Sequence, residues 1–137
     1  MIRRTSTEVT LRAFHGESEV FSSTGKWLHP LFELEEFLRT SPFHPGSIRV
    51  EDKIVGKAAA LLLVRLGIRR VKAGILSRLG REVLKRHGVE FSSAEAVERI
   101  ECRTESILEA VEDPEQAYRV LAVRAGRLSE GSSPQIG

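Results

Sequence analysis

The stretch VEDKIVGKAAALL, residues 50–62, sets an acid, two lysines and a glycine at the mouth of an apolar run. Those residue types suit anion recognition and proton transfer. Asp52 can accept a hydrogen bond from a hydroxyl or amine, or take a proton as a general base tuned by Lys53, while Lys53 and Lys57 can neutralise a negative charge. In the sequence Asp52 reads as the N-cap of a helix from Lys53 to about Leu66 that Gly67 ends. Lys53 and Lys57 then lie on one side of the first turns. Like charges four apart repel, and cations oppose the dipole at a helix N-terminus, each by roughly a few tenths of a kcal/mol. Gly56 costs about 1 kcal/mol against alanine in a helix interior, a cost that close approach of another backbone would justify.

The next helix repeats the pattern. Ser77 reads as its N-cap, yet Arg78 and Arg81 occupy its first turn. If both helices start at one edge of a sheet, two positive dipole ends and up to four basic side chains converge there. A bound anion, with phosphate the usual candidate, would resolve the conflict. The plain alternative is that these side chains extend into water, with Asp52 pairing one of them as it caps.

Other reactive residues form no constellation. His15, His29, His44 and His87 share no metal-ligand spacing with one another or with Cys102, so no metal site is expected. His87, just before Gly88, reads as a favourable cation at a helix C-terminus, and His29 as a helix-entry residue ahead of Pro30. Cys102 reads as a structural thiol, although Arg103 beside it could lower its pKa. There is no Walker loop, no GxGxxG and no nucleophile elbow, and no other cofactor is implied. Trp27, with no aromatic residues around it in sequence, reads as a core or hinge anchor.

The elements that must position these residues follow from periodicity and turn chemistry. Val9 to Ser22 alternates around His15-Gly16-Glu17 and predicts a β-hairpin. Pro30 opens an amphipathic helix to about Arg39, carried by Leu31, Leu34 and Leu38. SPFHPGS is a loop, and Ser47 to Val50 a short strand. After the Asp52 helix, RRVKAGIL predicts a strand, and Ser77 to His87 a helix. VEF then predicts a short strand. Ser92 with Glu95 has the spacing of a capping box, which predicts a helix over Ala94 to Ile100, and Ser106 with Glu109 repeats the spacing. Asp113-Pro114-Glu115-Gln116 supplies cap, first-turn proline and N3 glutamine for a helix to about Arg124. The order predicts an α/β layered domain over residues 1–126, with parallel central strands and a frayed tail over 127–137. Ligands of such sheets bind beyond the carboxyl ends of the strands, where Asp52 and Ser77 fall.

Composition narrows the function classes. The 137 residues carry 41% hydrophobic and 29% charged side chains, as a single globular domain does. A net charge of +2 with pI near 9.0 does not point to nucleic acid. A single cysteine rules out an internal disulfide and fits a reducing compartment. No segment is apolar and long enough to span a bilayer, and MIRRTSTEV lacks the apolar stretch of a signal peptide, so the expected location is cytoplasmic.

GKWLHPLFELEEFL, then VEDKIVGKAAALLLVRLGIRRVKAGILSRLGREVLKRHGV, then VEDPEQAYRVL, resembles DUF1893, an uncharacterised prokaryotic family with a cytidine-deaminase-like fold. The resemblance spans Val9 to Leu121 and is most specific in the D-K-x-x-G-x-A-A-A run from Asp52 to Ala60. It implies a three-layer α/β/α domain with a mixed sheet that starts with a β-hairpin, and no established activity. Zinc deaminases place H-A-E or C-A-E at one helix mouth and P-C-x-x-C at the next. Here the mouths read EDK and SRLG, so the resemblance implies the fold without zinc-dependent deamination. It places Asp52, Lys53, Gly56 and Lys57 where the deaminase catalytic helix lies. The family's N-R pair and downstream C-P-x-E segment correspond to ECRTESILEAVEDPE, with Arg103 and Glu109 matching, Cys102 in the asparagine's place and the C-P pair missing.

The expected function is binding of a small anionic ligand, such as a nucleotide derivative, by Asp52, Lys53, Gly56, Lys57 and Ser77, with Arg103 closing the site. The alternative is a homo-oligomeric protein-interaction module with a vestigial pocket.

Overall fold

In the computed structural model, described here over residues 8–100, 108 and 110–127, alternation builds the first hairpin. Strand β1 (Leu11–His15) buries Leu11 and Ala13 and exposes Arg12. It turns through Gly16-Glu17 into β2 (Ser18–Ser23), with Gly16 at φ 64°, a left-handed conformation that costs glycine nothing. Strand β3 (Ile48–Val55) pairs antiparallel with β1 and parallel with β4 (Arg70–Ser77). Strand β5 (Glu90–Val97) extends the parallel set. The five-stranded mixed sheet has the order β2-β1-β3-β4-β5.

Four helices complete the described fold: α1 (His29–Thr40), α2 (Lys57–Leu66), α3 (Arg78–Arg86) and α4 (Pro114–Arg124). Their ends follow the sequence signals. Gly67, at φ 90°, ends α2 by donating its N–H to the Leu63 and Val64 carbonyls. Ser77 Oγ accepts from Gly80 N at 3.0 Å, and Asp113 Oδ2 from Gln116 N at 2.8 Å. Because α1, α3 and α4 each contact α2, all four described helices lie on one face of the sheet. Helix α2 is enclosed on every side, with Lys57 through Leu63 all buried, as its nearly unbroken apolar sequence requires. The opposite face of the sheet presents Arg12, Lys53 and Lys72 to solvent. The second helical layer implied by the resemblance is not among the described residues.

Two expectations fail for a common reason. Asp52 does not cap a helix: β3 continues past Val50, and Asp52 sits within it opposite Leu11 of β1 and Ala73 of β4. The backbone there has ladder partners on both sides, and each buried peptide group that stayed unpaired would cost about 1–3 kcal/mol. The helix starts later, with Gly56 as N-cap in an extended conformation. Likewise Ser92 and Glu95 belong to β5, opposite Lys72 and Ile75, so the helix expected from their spacing is replaced by strand to Val97. The Ser106–Glu109 spacing and the tail beyond residue 127 lie outside the described residues.

Candidate ligand-binding site

The parallel strand β3 delivers its last residues to the edge of the sheet where α2 begins, and a cavity of about 260 Å³ opens there. Asp52, Lys53 and Ile54 of β3, Gly56 at the mouth of α2, and Trp27 and Pro30 at the entry to α1 contribute to its wall. Gly56 has no side chain with which to cap α2, and the first turn of α2 holds no acid. Among the described residues no side chain caps that helix end, so its partial positive charge faces the cavity.

Asp52 is half-buried. Burial raises its pKa from 3.8 to about 7, only partly offset by the backbone N–H groups of Ile54 and Lys53. Burial, not the expected Lys53 ammonium, sets this value. Lys53 Nζ donates to Glu8 Oε1 at 2.8 Å, and that hydrogen bond holds the Glu8 carboxyl below its ordinary value. Asp52 and Lys53 also border a shallower groove of about 230 Å³, together with Arg12, Lys72 and Gly74.

The remaining predicted site residues lie elsewhere. Lys57 is the first residue of α2, only 3% exposed, and its Nζ donates to Leu108 O at 2.8 Å and to Glu112 Oε2 at 2.9 Å. Arg86 donates to the other oxygen of Glu112, and the hydrogen bonds from Lys57 and Arg86 lower that carboxyl's pKa. Lys57 is therefore an internal strut between α2 and the segment leading into α4. Ser77 is fully buried as the cap of α3. Arg78 pairs with Glu98 at 2.8 Å and Glu82 at 2.9 Å. The two helix mouths do meet at one sheet edge, but Lys53, Lys57 and Arg78 are each met by a carboxylate of the chain. The close approach expected at Gly56 falls on its neighbour, since a Cβ on Gly80 would lie 3.0 Å from the carbonyl oxygens of both Val55 and Gly56. Arg103 and Cys102 lie outside the described residues.

Trp27 was missed by sequence reasoning. It is 40% exposed on the cavity rim rather than in the core, and its backbone is left-handed at φ 58°. That conformation costs a non-glycine residue about 1–2 kcal/mol. Its position in the text carried the signal, because an aromatic between Gly25-Lys26 and the helix-opening His29-Pro30 belongs to a loop and not to a periodic core face. Thr10 was missed as well. Its Oγ1 donates to Ser23 O at 3.2 Å and to Gly25 O at 2.7 Å, which fixes the loop that carries Trp27. No three His, Cys, Asp or Glu side chains among the described residues form a group that could hold a metal ion.

The family model for the domain of unknown function DUF1893 matches residues 5–123. The chain belongs to that family. A solved DUF1893 structure, from Thermotoga maritima, superposes with a TM-score of 0.75 at 26% identity, covering 85% of this chain and 80% of that one. No curated protein matches. The DUF1893 match runs from before β1 into α4, so both helix mouths and every described wall of the cavity fall within the family domain. No described helix is long and apolar enough to cross a membrane.

Proposed function

We propose that this DUF1893 domain, of cytidine-deaminase-like fold without zinc-dependent deaminase chemistry, binds a small anionic ligand such as a nucleotide derivative in the cavity at the end of β3. The observation that carries the reading is the meeting of Asp52 and the uncapped mouth of α2 in one cavity at the carboxyl end of a parallel strand. Sheets of this kind take ligands at that edge. The amides at the start of α2 suit an anionic group. Lys53, whose side chain lies on the other face of the sheet beside Glu8, adds only long-range attraction for the anion. Asp52 accepts a ligand hydroxyl or amine, and with a pKa near neutrality it can also exchange a proton with what is bound. A mixed sheet that starts with a hairpin supports the deaminase-like fold.

The test is a thermal-shift screen at low ionic strength with nucleosides, nucleotides, sugar phosphates, inorganic phosphate and divalent metals. A ligand at a hundred times its Kd adds about 2.7 kcal/mol of stability. The expected result is a selective shift from a phosphorylated compound that Asp52→Ala diminishes and Lys53→Ala lowers only slightly. A flat panel refutes the reading.

A second reading has support from Trp27 and Ile54, which are 40% and 45% exposed on one rim. Exposed apolar side chains grouped in this way suit a protein-interaction module. It requires a mass by light scattering that rises with concentration and falls in Ile54→Asp, with no response to any small molecule.

A further inference from the structure

Trp27 and Ile54 are the only large hydrophobic side chains exposed among the described residues, and both border the one cavity. They arrive from separate elements, the loop before α1 and the end of β3. Trp27 is also the only described non-glycine residue in the left-handed region. A glycine there would carry no backbone strain, and a polar residue would be better hydrated. The indole is nonetheless oriented. His29 packs edge-on against it with ring centroids 5.5 Å apart, and the loop behind it is tied by Thr10 Oγ1 to Gly25 O and by Gly25 N to Ser23 Oγ at 3.0 Å. An oriented, half-exposed aromatic face on a cavity that holds one carboxyl group suits a flat ring with a polar edge.

We propose that Trp27 is the stacking wall of this site and that the ligand therefore carries a planar heterocyclic ring, packed against the indole and Ile54 with its polar edge toward Asp52. The proposal rests on the ligand-binding reading above and deepens it by assigning the ring. Specificity then comes from two separate devices. Trp27 and Ile54 select a flat apolar face, and Asp52 selects an edge that can share a proton with it. The anionic group binds at the mouth of α2, so a ring without phosphate binds more weakly than the complete ligand, and a phosphate without a ring forfeits the stacking.

Trp27 is the sole tryptophan of the chain, so its fluorescence reports on this site alone. The full chain is titrated with nucleosides, nucleoside monophosphates, ribose 5-phosphate and inorganic phosphate, with emission and melting temperature followed together. The expected result is saturable change of Trp27 emission by ring-bearing compounds only. Binding by calorimetry should weaken roughly 5- to 150-fold in Trp27→Ala, the loss a stacked base carries, and be largely retained in Trp27→Phe. Ile54→Ala tests the second apolar contact without altering the Trp27 loop, and it should also weaken the ring-bearing compounds. If ring-free phosphates raise the melting temperature as strongly as nucleotides do, with Trp27 emission unmoved and Trp27→Ala and Ile54→Ala binding as well as the native chain, the stacking assignment is wrong and the anion site stands. If no compound alters emission or melting temperature, the ligand-binding reading fails and the ring assignment fails with it.

Discussion

Two ionisable residues beside the same helix mouth are stabilised in opposite ways. Asp52 has no cationic partner among the described residues, and burial lifts its pKa to about 7. Lys57 is buried as deeply as a core leucine but keeps its charge partnered through Glu112 and the Leu108 carbonyl. They respond differently to substitution. The native state holds the Asp52 proton more tightly than the unfolded chain does. The stability this contributes is full below pH about 3.8 and is lost as pH rises through about 7. Asp52→Asn should therefore melt above the native chain at pH 8 and draw level with it at low pH. An equal difference at both ends would show that the carboxyl is solvated. Glu112→Gln leaves the Lys57 ammonium with weakened compensation and should cost about 1–3 kcal/mol. Combining it with Lys57→Met removes the buried charge as well, so the double variant should recover part of that loss in chemical denaturation.

At the scale of elements, the contacts that set the site's geometry are made by backbone and by one arginine. The mouth of α3 sits so close to that of α2 that a Cβ on Gly80 would meet the Val55 and Gly56 carbonyl oxygens at 3.0 Å. On β4, a Cβ on Gly74 would lie 2.6 Å from Lys53 O. Both neighbours are backbone and cannot rotate away. Gly80→Ala should cost about 1–3 kcal/mol by overpacking, and Gly74→Ala more, as read by urea unfolding. Arg65 joins three helices: it reaches Glu35 of α1 at 2.8 Å and Glu115 of α4 at 3.2 Å, with its guanidinium 3.5 Å from the Tyr118 ring centroid. Arg65→Lys retains the charge but not the fork or the flat face, so it should still lose about 1 kcal/mol. The sequence made much of this frame legible. The hairpin, α1, the glycine stop of α2, the Ser77 and Asp113 caps and the parallel order all follow from local signals. The candidate site was half legible: Asp52, Lys53 and Gly56 do line a cavity at the expected edge of the sheet, but from other elements than expected. Asp52-Lys53 before an apolar run has the chemistry of a cap, and only the ladders from β1 and β4 make it strand. Gly56 was the clue, since a glycine within a helical pattern can mark its true start. SSAEAV of β5 lacks the β-branched and aromatic density of a strand, and it is held by pairing with β4 rather than by propensity.

Over the whole molecule, these groups set opposing limits on stability with pH. Glu8, hydrogen-bonded by Lys53, and Glu112, hydrogen-bonded by Lys57 and Arg86, have pKa values below their ordinary 4.5. What they contribute is present above that value and lost as pH falls through their lowered folded values. Asp52 acts in the opposite sense, losing its contribution as pH rises through about 7. The melting temperature should therefore be highest in mildly acidic solution and decline toward both pH 3 and pH 8. Glu112→Gln should flatten the acid side and Asp52→Asn the alkaline side. The same titration bears on ligand affinity. Above pH 7 an ionised Asp52 shares its cavity with any bound anion and repels it, whereas below pH 7 the neutral carboxyl can donate a hydrogen bond instead. Affinity for a phosphorylated ligand should rise between pH 8 and pH 6, and the rise should vanish in Asp52→Asn. Calorimetry at the two pH values decides this. Equal pH dependence in the native chain and the variant would assign the proton to the phosphate group itself, whose second ionisation lies near 6, and would remove Asp52 from the ligand's surroundings.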